Sequence, residues 1–210
     1  MRKLAGVALR VSTRAAHTKL ADPAAVCPVV RVDDSSLSES AVETAVQLLR
    51  EGQVIALPTD TLYGVAADAR NAEAVRRLYN VKGRAERKPL AICVGRVSQV
   101  KDWAQVPFSD DLLNALLPGP LTLLLRPSSE RHLNLPGNPP LVGVRVPGLA
   151  FPCLVAERLG GPLALTSANL SGAPSALAVN EFQQLWSQLS AVFDGGVIVC
   201  EERFYGCGSE

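Results

Sequence analysis

From Val29 to Gly196, short apolar runs alternate with segments of helical periodicity, and turn residues punctuate them. That alternation constrains the fold more than any single motif. Strands that alternate with amphipathic helices bury their apolar surface by layering helices on a sheet, so the pattern predicts an α/β domain built round one twisted sheet. The strand-like runs are "QVIAL", "PLAICV", "LTLLLRP", "LVGVRVP", "PLALTSAN" and "AVFDGG". The helix-like runs are "SESAVETAVQLLREG", with Ser40 and Glu43 at capping-box spacing and Gly52 at its end, and "NAEAVRRLYNVKG", capped by Asn71. "SDDLLNALLPGP", a segment expected to begin after Pro152, and "NEFQQLWSQL", with Asn180 and Gln183 at cap positions, complete the set. No internal repeat and no Ser- or Gly-rich linker divides the 210 residues, enough for one domain with a sizeable core.

Charge excludes a broad nucleic-acid surface, since 21 Lys and Arg stand against 20 Asp and Glu. Any such contact has to come from a local patch. No apolar run approaches the roughly 18 residues of a spanning helix, so membrane insertion is not expected. The 5 cysteines, at 27, 93, 153, 200 and 207, form no CxxC and lie far from His17 and His132, which argues against a structural zinc site. Their odd number and scattered spacing point to a reducing compartment, the cytoplasm. Cys93 in "LAICV" reads as a small core residue. Residues 1–28 carry Arg2, Lys3, Arg10, Arg14 and Lys19 with no acid before Asp22. That composition suits a mitochondrial transit peptide or a disordered basic leader.

Three polar clusters stand at strand or helix ends, where loops of an open α/β sheet gather into ligand sites. "PTDTLYGVAAD", Pro58 to Asp68, follows "QVIAL" directly and holds more hydroxyls than a plain turn needs. "KGRAERK" sets Lys82, Arg84, Arg87 and Lys88 against Glu86. It can wrap an anion, or be a solvated helix end whose cations favour the helix dipole. "TSANLSG" places Ser167 and Asn169 two apart, so in an extended chain both would project one way and reach phosphate or ribose oxygens. An ordinary Ser/Asn turn reads the same. "PGPLT" fixes a loop before Thr122. No Walker A, GxGxxG, HExxH or nucleophile-elbow pattern is present.

In order along the chain, "PTDTLYG", "KGR…KPL", "PGPLT", "GVRVP" and "TSANLSG" resemble the YrdC/TsaC family of threonylcarbamoyl-adenylate synthases, over about residues 40–196. The resemblance implies a twisted, open, mixed α/β sheet flanked by helices, with a positively charged cavity on one face. It implies that L-threonine, bicarbonate and ATP, with Mg²⁺, become threonylcarbamoyl-AMP and pyrophosphate. A transferase complex then passes the group to an adenosine of tRNAs that read codons beginning with A. Lys82 and Arg84 would hold phosphates and carbamate oxygens as the catalytic pair, and with Ser167 and Asn169 would bind ATP. Thr59, Arg145 and Ser167 would position threonine, and Tyr63 would wall the cavity. After "DGG", the family continues into a Ser-Thr-Val-Val-Asp-like strand, and near residue 93 it often carries His. Here "VIVCEERFYGCGSE" and Cys93 stand instead. A missing central strand would leave unpaired backbone and exposed apolar surface. A non-catalytic RNA-binding or regulatory protein on the same fold, using the cavity for tRNA or double-stranded RNA phosphates, is the alternative. A carbamoyl-adenylate domain like that of hydrogenase-maturation proteins is a weaker third.

Overall fold

The computed structural model describes residues 27–32, 39–83, 90–129, 133–136 and 139–199. Among these, nine strands form one mixed, twisted, open sheet in the order β1-β9-β2-β3-β8-β4-β7-β6-β5. The strands are β1 (Val29–Arg31), β2 (Ile55–Pro58), β3 (Tyr63–Asp68), β4 (Ala91–Cys93), β5 (Ala104–Gln105), β6 (Leu123–Pro127), β7 (Val142–Arg145), β8 (Leu163–Ser167) and β9 (Ala191–Asp194). The helices are α1 (Glu39–Arg50), α2 (Ala72–Val81), α3 (Val100–Trp103), α4 (Asp110–Leu116) and α5 (Ala150–Leu159), and a 3-10 segment spans Val179–Gln188. Strand β9 runs parallel to both β1 and β2 and fills the position between them. Each strand from β9 to β6 therefore has neighbours on both sides, and the expected gap in the sheet is absent among the described residues.

Two apolar layers hold the sheet. On one face, Val42, Val46 and Leu49 of α1 and Phe151, Val155 and Leu159 of α5 pack on Ile55, Leu57, Ala66, Cys93, Leu163 and Phe193. Phe151 and Phe193 meet as tilted rings 5.2 Å apart, within the range that favours aromatic pairs. On the other face, Ala74, Val75 and Leu78 of α2, with Leu113 and Phe182, cover Val65, Ala67, Ile92, Ala164 and Val192. Strands β2 and β3 are buried at every position, because successive side chains enter opposite layers and both layers are covered there.

Several local expectations hold. Asn71 caps α2 by accepting from the backbone of Glu73 and Ala74. Others shift. Helix α1 begins at Glu39, so Ser40 lies inside its first turn and accepts through its carbonyl from Thr44 Oγ1. Helix α5 begins at Ala150, so Pro152 falls within the first turn, where its missing N–H costs nothing. Asn180 and Gln183 cap nothing: the 3-10 segment starts after Ala178, and Glu181 reaches back to the Leu177 N–H instead. Cys93 is a fully buried core residue whose thiol is pushed up by burial.

The stretch from Pro58 to Asp68 is the largest difference. It is a tight turn followed by a central strand, β3, pairing antiparallel with β2 and β8. Tyr63 does not wall a cavity. It is fully buried on the α2 face, tilted against Phe182 with ring centroids 5.6 Å apart. Its hydroxyl donates to Gly196 O at 2.6 Å and accepts from the Gly195 N–H at 3.0 Å. Burial, and then the adjacent Asp194 carboxylate, push its pKa from the ordinary 10.0 to about 12. A proton held more tightly in the folded state stabilises below the unfolded value, and that contribution disappears as pH rises through the folded one. Stability of the unmodified chain is thus expected to fall between pH 10 and 12, with a shallower fall in Tyr63→Phe, measured by urea unfolding across that window.

Candidate functional site

Pairing registers place Gly64, Ala91, Gly143, Arg145, Leu165 and Ser167 on the same sheet face as α1 and α5. The two helices cover the part of that face at Ala66, Cys93 and Leu163 and leave this part open. A cavity of about 260 Å³ lies there, lined by Thr59, Leu62, Gly64, Ala91, Thr122, Arg145, Leu165, Thr166 and Ser167. Its floor depends on residues without bulk. A Cβ on Gly64 would stand 2.7 Å from Leu165 Cδ1, and one on Gly143 would stand 3.0 Å from Thr122 Cγ2. Glycine inside a strand marks such close approaches. Leu165 and Thr122 can therefore lie down against the sheet, and the hollow stays open above them.

Helix α2 delivers Lys82. The residue follows the last helical turn, where a cation is favoured by the dipole, and it is 2% exposed. Its ammonium reaches Ser167 O at 2.6 Å, Asn169 Oδ1 at 2.9 Å, Asn169 O, and more loosely Ser167 Oγ at 3.4 Å. The structure thus brings three sequence-predicted residues, Lys82, Ser167 and Asn169, into one knot. The extended chain ends at Ser167, so it is the bend after β8, rather than strand alternation, that turns Asn169 to the same side. Asn169 spends its amide on Leu170 O and Ala173 O, so both ends of its side chain are engaged inside the loop. A buried ammonium with three N–H groups facing this many acceptors acts first as a strut for the 167–169 loop. Arg84 lies outside the described residues.

Thr59 is 2% exposed and lines the cavity, yet its hydroxyl serves its own turn. It donates to Leu62 O at 2.8 Å and accepts from the N–H groups of Thr61 and Leu62. Local bonds of this kind are common for Thr in turns. The hydroxyls of "PTDT" therefore build the turn. Sequence reasoning overlooked Asp60 and Thr61, which hold Arg145. Arg145 Nη2 pairs with Asp60 Oδ1 at 2.7 Å, and Nη1 donates to Thr61 Oγ1 at 3.1 Å. Arg145 Nε is buried with no hydrogen-bond partner. The signal available was an acid within the hydroxyl-rich turn and a lone arginine ending a strand, which opposite charge could have linked.

The knot at Lys82 and the hydroxyl of Ser167 should behave differently on mutation. Lys82→Met strands buried carbonyl acceptors and is expected to cost about 3 kcal/mol in urea unfolding. Ser167→Ala, which loses only the long 3.4 Å contact to Lys82, is expected to stay within about 0.5 kcal/mol.

The Sua5/YciO/YrdC family model, described as telomere recombination, matches residues 47–203. The chain is 52% identical over 158 residues to threonylcarbamoyl-AMP synthase of Bos taurus, covering 75% of this chain and 57% of that protein. The Homo sapiens protein of the same name gives the same identity and coverage. The chain thus spans a little over half the length of these curated relatives. The crystal structure of P. abyssi Sua5 complexed with L-threonine superposes with a TM-score of 0.73 at 30% identity, over 80% of this chain and 50% of that one. With the match covering most of its length, the chain belongs to the Sua5/YciO/YrdC family.

Proposed function

We propose that this chain carries out the synthesis of L-threonylcarbamoyl-AMP from L-threonine, bicarbonate and ATP, with release of pyrophosphate. The observation that supports this most is Arg145. Arg145 lines the cavity with one hydrogen on each Nη already engaged, and its remaining Nη hydrogens are donors suited to a carboxylate. The relatives named threonylcarbamoyl-AMP synthase and the threonine complex of P. abyssi Sua5 support reading that carboxylate as threonine's. At about 260 Å³ the cavity is smaller than the roughly 300–1,000 Å³ that encloses drug-sized ligands. It suits an amino acid, with the nucleotide extending outward past Ser167.

In this reading Arg145 takes the threonine carboxylate and Thr59 shapes the turn beside it. The neutral amine attacks bicarbonate carbon and water leaves, giving N-carboxy-threonine, whose new carboxylate attacks the α-phosphate of ATP while pyrophosphate leaves. No protein nucleophile is needed, because the work is alignment and charge neutralisation. Lys82 and Arg84 supply positive charge for the phosphates and the carbamate, giving the cavity its cationic character. Lys82 does so from within the 167–169 knot, where a low dielectric strengthens its field. Ser167 and Asn169 border the nucleotide. Asp60 follows the lining residue Thr59, and it already spends both oxygens on Arg145 and Gly148. Mg²⁺ therefore arrives as the ATP complex, held by phosphate oxygens. A separate transferase complex moves the threonylcarbamoyl group to tRNA.

Pyrophosphate release is the test. It is expected to require L-threonine and bicarbonate together, and Lys82→Ala or Arg84→Ala is expected to lower it at least ~10²-fold. Equal release with L-serine, or without any amino acid, refutes the threonine assignment, and near-normal turnover in either variant refutes the role of that cation.

A further inference from the structure

Asp60 occupies a position that the proposed chemistry does not use directly. Its Oδ1 accepts from Arg145 Nη2 at 2.7 Å, and its Oδ2 accepts from the Gly148 N–H at 2.8 Å. The Asp60 and Arg145 side chains are 14% and 12% exposed, so water competes little for the pair. Thr61, one residue along the same turn, takes Arg145 Nη1. Two neighbouring residues of one turn thus pin two nitrogens of the guanidinium. The group has five N–H donors in a rigid plane; Nε is closed off inside the fold, so one hydrogen on each Nη remains for a ligand. The turn itself is stiff, because the Thr59 hydroxyl ties its Thr61 and Leu62 N–H groups.

We propose that Asp60 is a positioning residue that sets the plane of the Arg145 guanidinium, so that its free donors meet the carboxylate of L-threonine without rearrangement. This rests on the reading of the cavity given above. Geometry explains the residue type. Both donors facing Asp60 are N–H groups, and only a carboxylate presents two acceptors to them. Asparagine offers one acceptor and sets an NH₂ against the other donor. The Gly148 bond adds a second consequence. It ties the turn before β3 to the segment after β7, so the carboxylate fixes Arg145 from both its side-chain end and its backbone side.

Binding of L-threonine and of ATP with Mg²⁺, each titrated calorimetrically into the whole chain and into D60N and T61V, tests the assignment. D60N is expected to weaken L-threonine binding on the order of 10²-fold, the usual effect of a displaced positioning group, and to leave ATP affinity unchanged. T61V is expected to weaken L-threonine on the order of 10-fold, the loss of one bond to a charged donor. Unchanged L-threonine affinity in D60N overturns the proposal. So do equal losses for both ligands with a lowered melting temperature, since a mere structural clip would do that. Should D60N fail to fold, T61V decides, and wild-type threonine affinity there overturns it. An unmodified chain that takes no L-threonine refutes the reading of the cavity, and this assignment with it; loss confined to neither variant refutes Asp60 alone.

Discussion

Helices α1 and α5 bury Ala66, Cys93 and Leu163 on one sheet face and stop short of Gly64, Ala91, Gly143 and Arg145. The proposed site depends on that partial cover. An apolar sheet face is normally sealed, and an open part is tolerable only if small residues and polar groups line it. Gly64 and Gly143 let Leu165 and Thr122 lie against the strands, and Arg145, Thr166 and Ser167 bring polar groups to the rest of the lining. The other face is packed under α2 and the 3-10 segment.

Two cations are then brought to this open part at real cost. Desolvating an ammonium or a guanidinium is expensive unless acceptors replace the lost water. Lys82 is repaid by the end of β8 and the loop after it, and Arg145 by the turn before β3. The repayments differ. Lys82 is surrounded by acceptors, so it fixes a loop and leaves its charge behind as a field. Arg145 is held at two nitrogens and left incomplete at a third. Arg145 also lines the cavity, where its remaining Nη hydrogens can meet a ligand. Opposite requirements of this kind suit a site that must stabilise phosphates by charge and an amino acid by directed hydrogen bonds.

How much of this was readable in advance varied with the physics behind each signal. The capped helix at Asn71 and the α/β alternation were legible because they rest on local bonds and on periodicity. The meeting of Lys82 with Ser167 and Asn169 came from resemblance to a family, since residues 85 and more apart in sequence leave no local trace. The role of "PTDT" was misjudged because hydroxyl content says nothing about where the hydroxyls go. Thr59 turned inward on its own backbone, and Asp60 did the work across the sheet. Tyr63 was misplaced for a related reason. The family resemblance implied a cavity wall, whereas the period of β3 sends it to the opposite face, where Gly196 O accepts from its hydroxyl.

The central claim is that the open part of the sheet face holds L-threonine by its carboxylate. A crystal structure of this chain grown with L-threonine tests it most directly. The account predicts the amino acid between Thr59 and Ser167, with its carboxylate within hydrogen-bonding distance of the Arg145 guanidinium. Threonine bound with its carboxylate away from Arg145, or bound outside this cavity altogether, would contradict it.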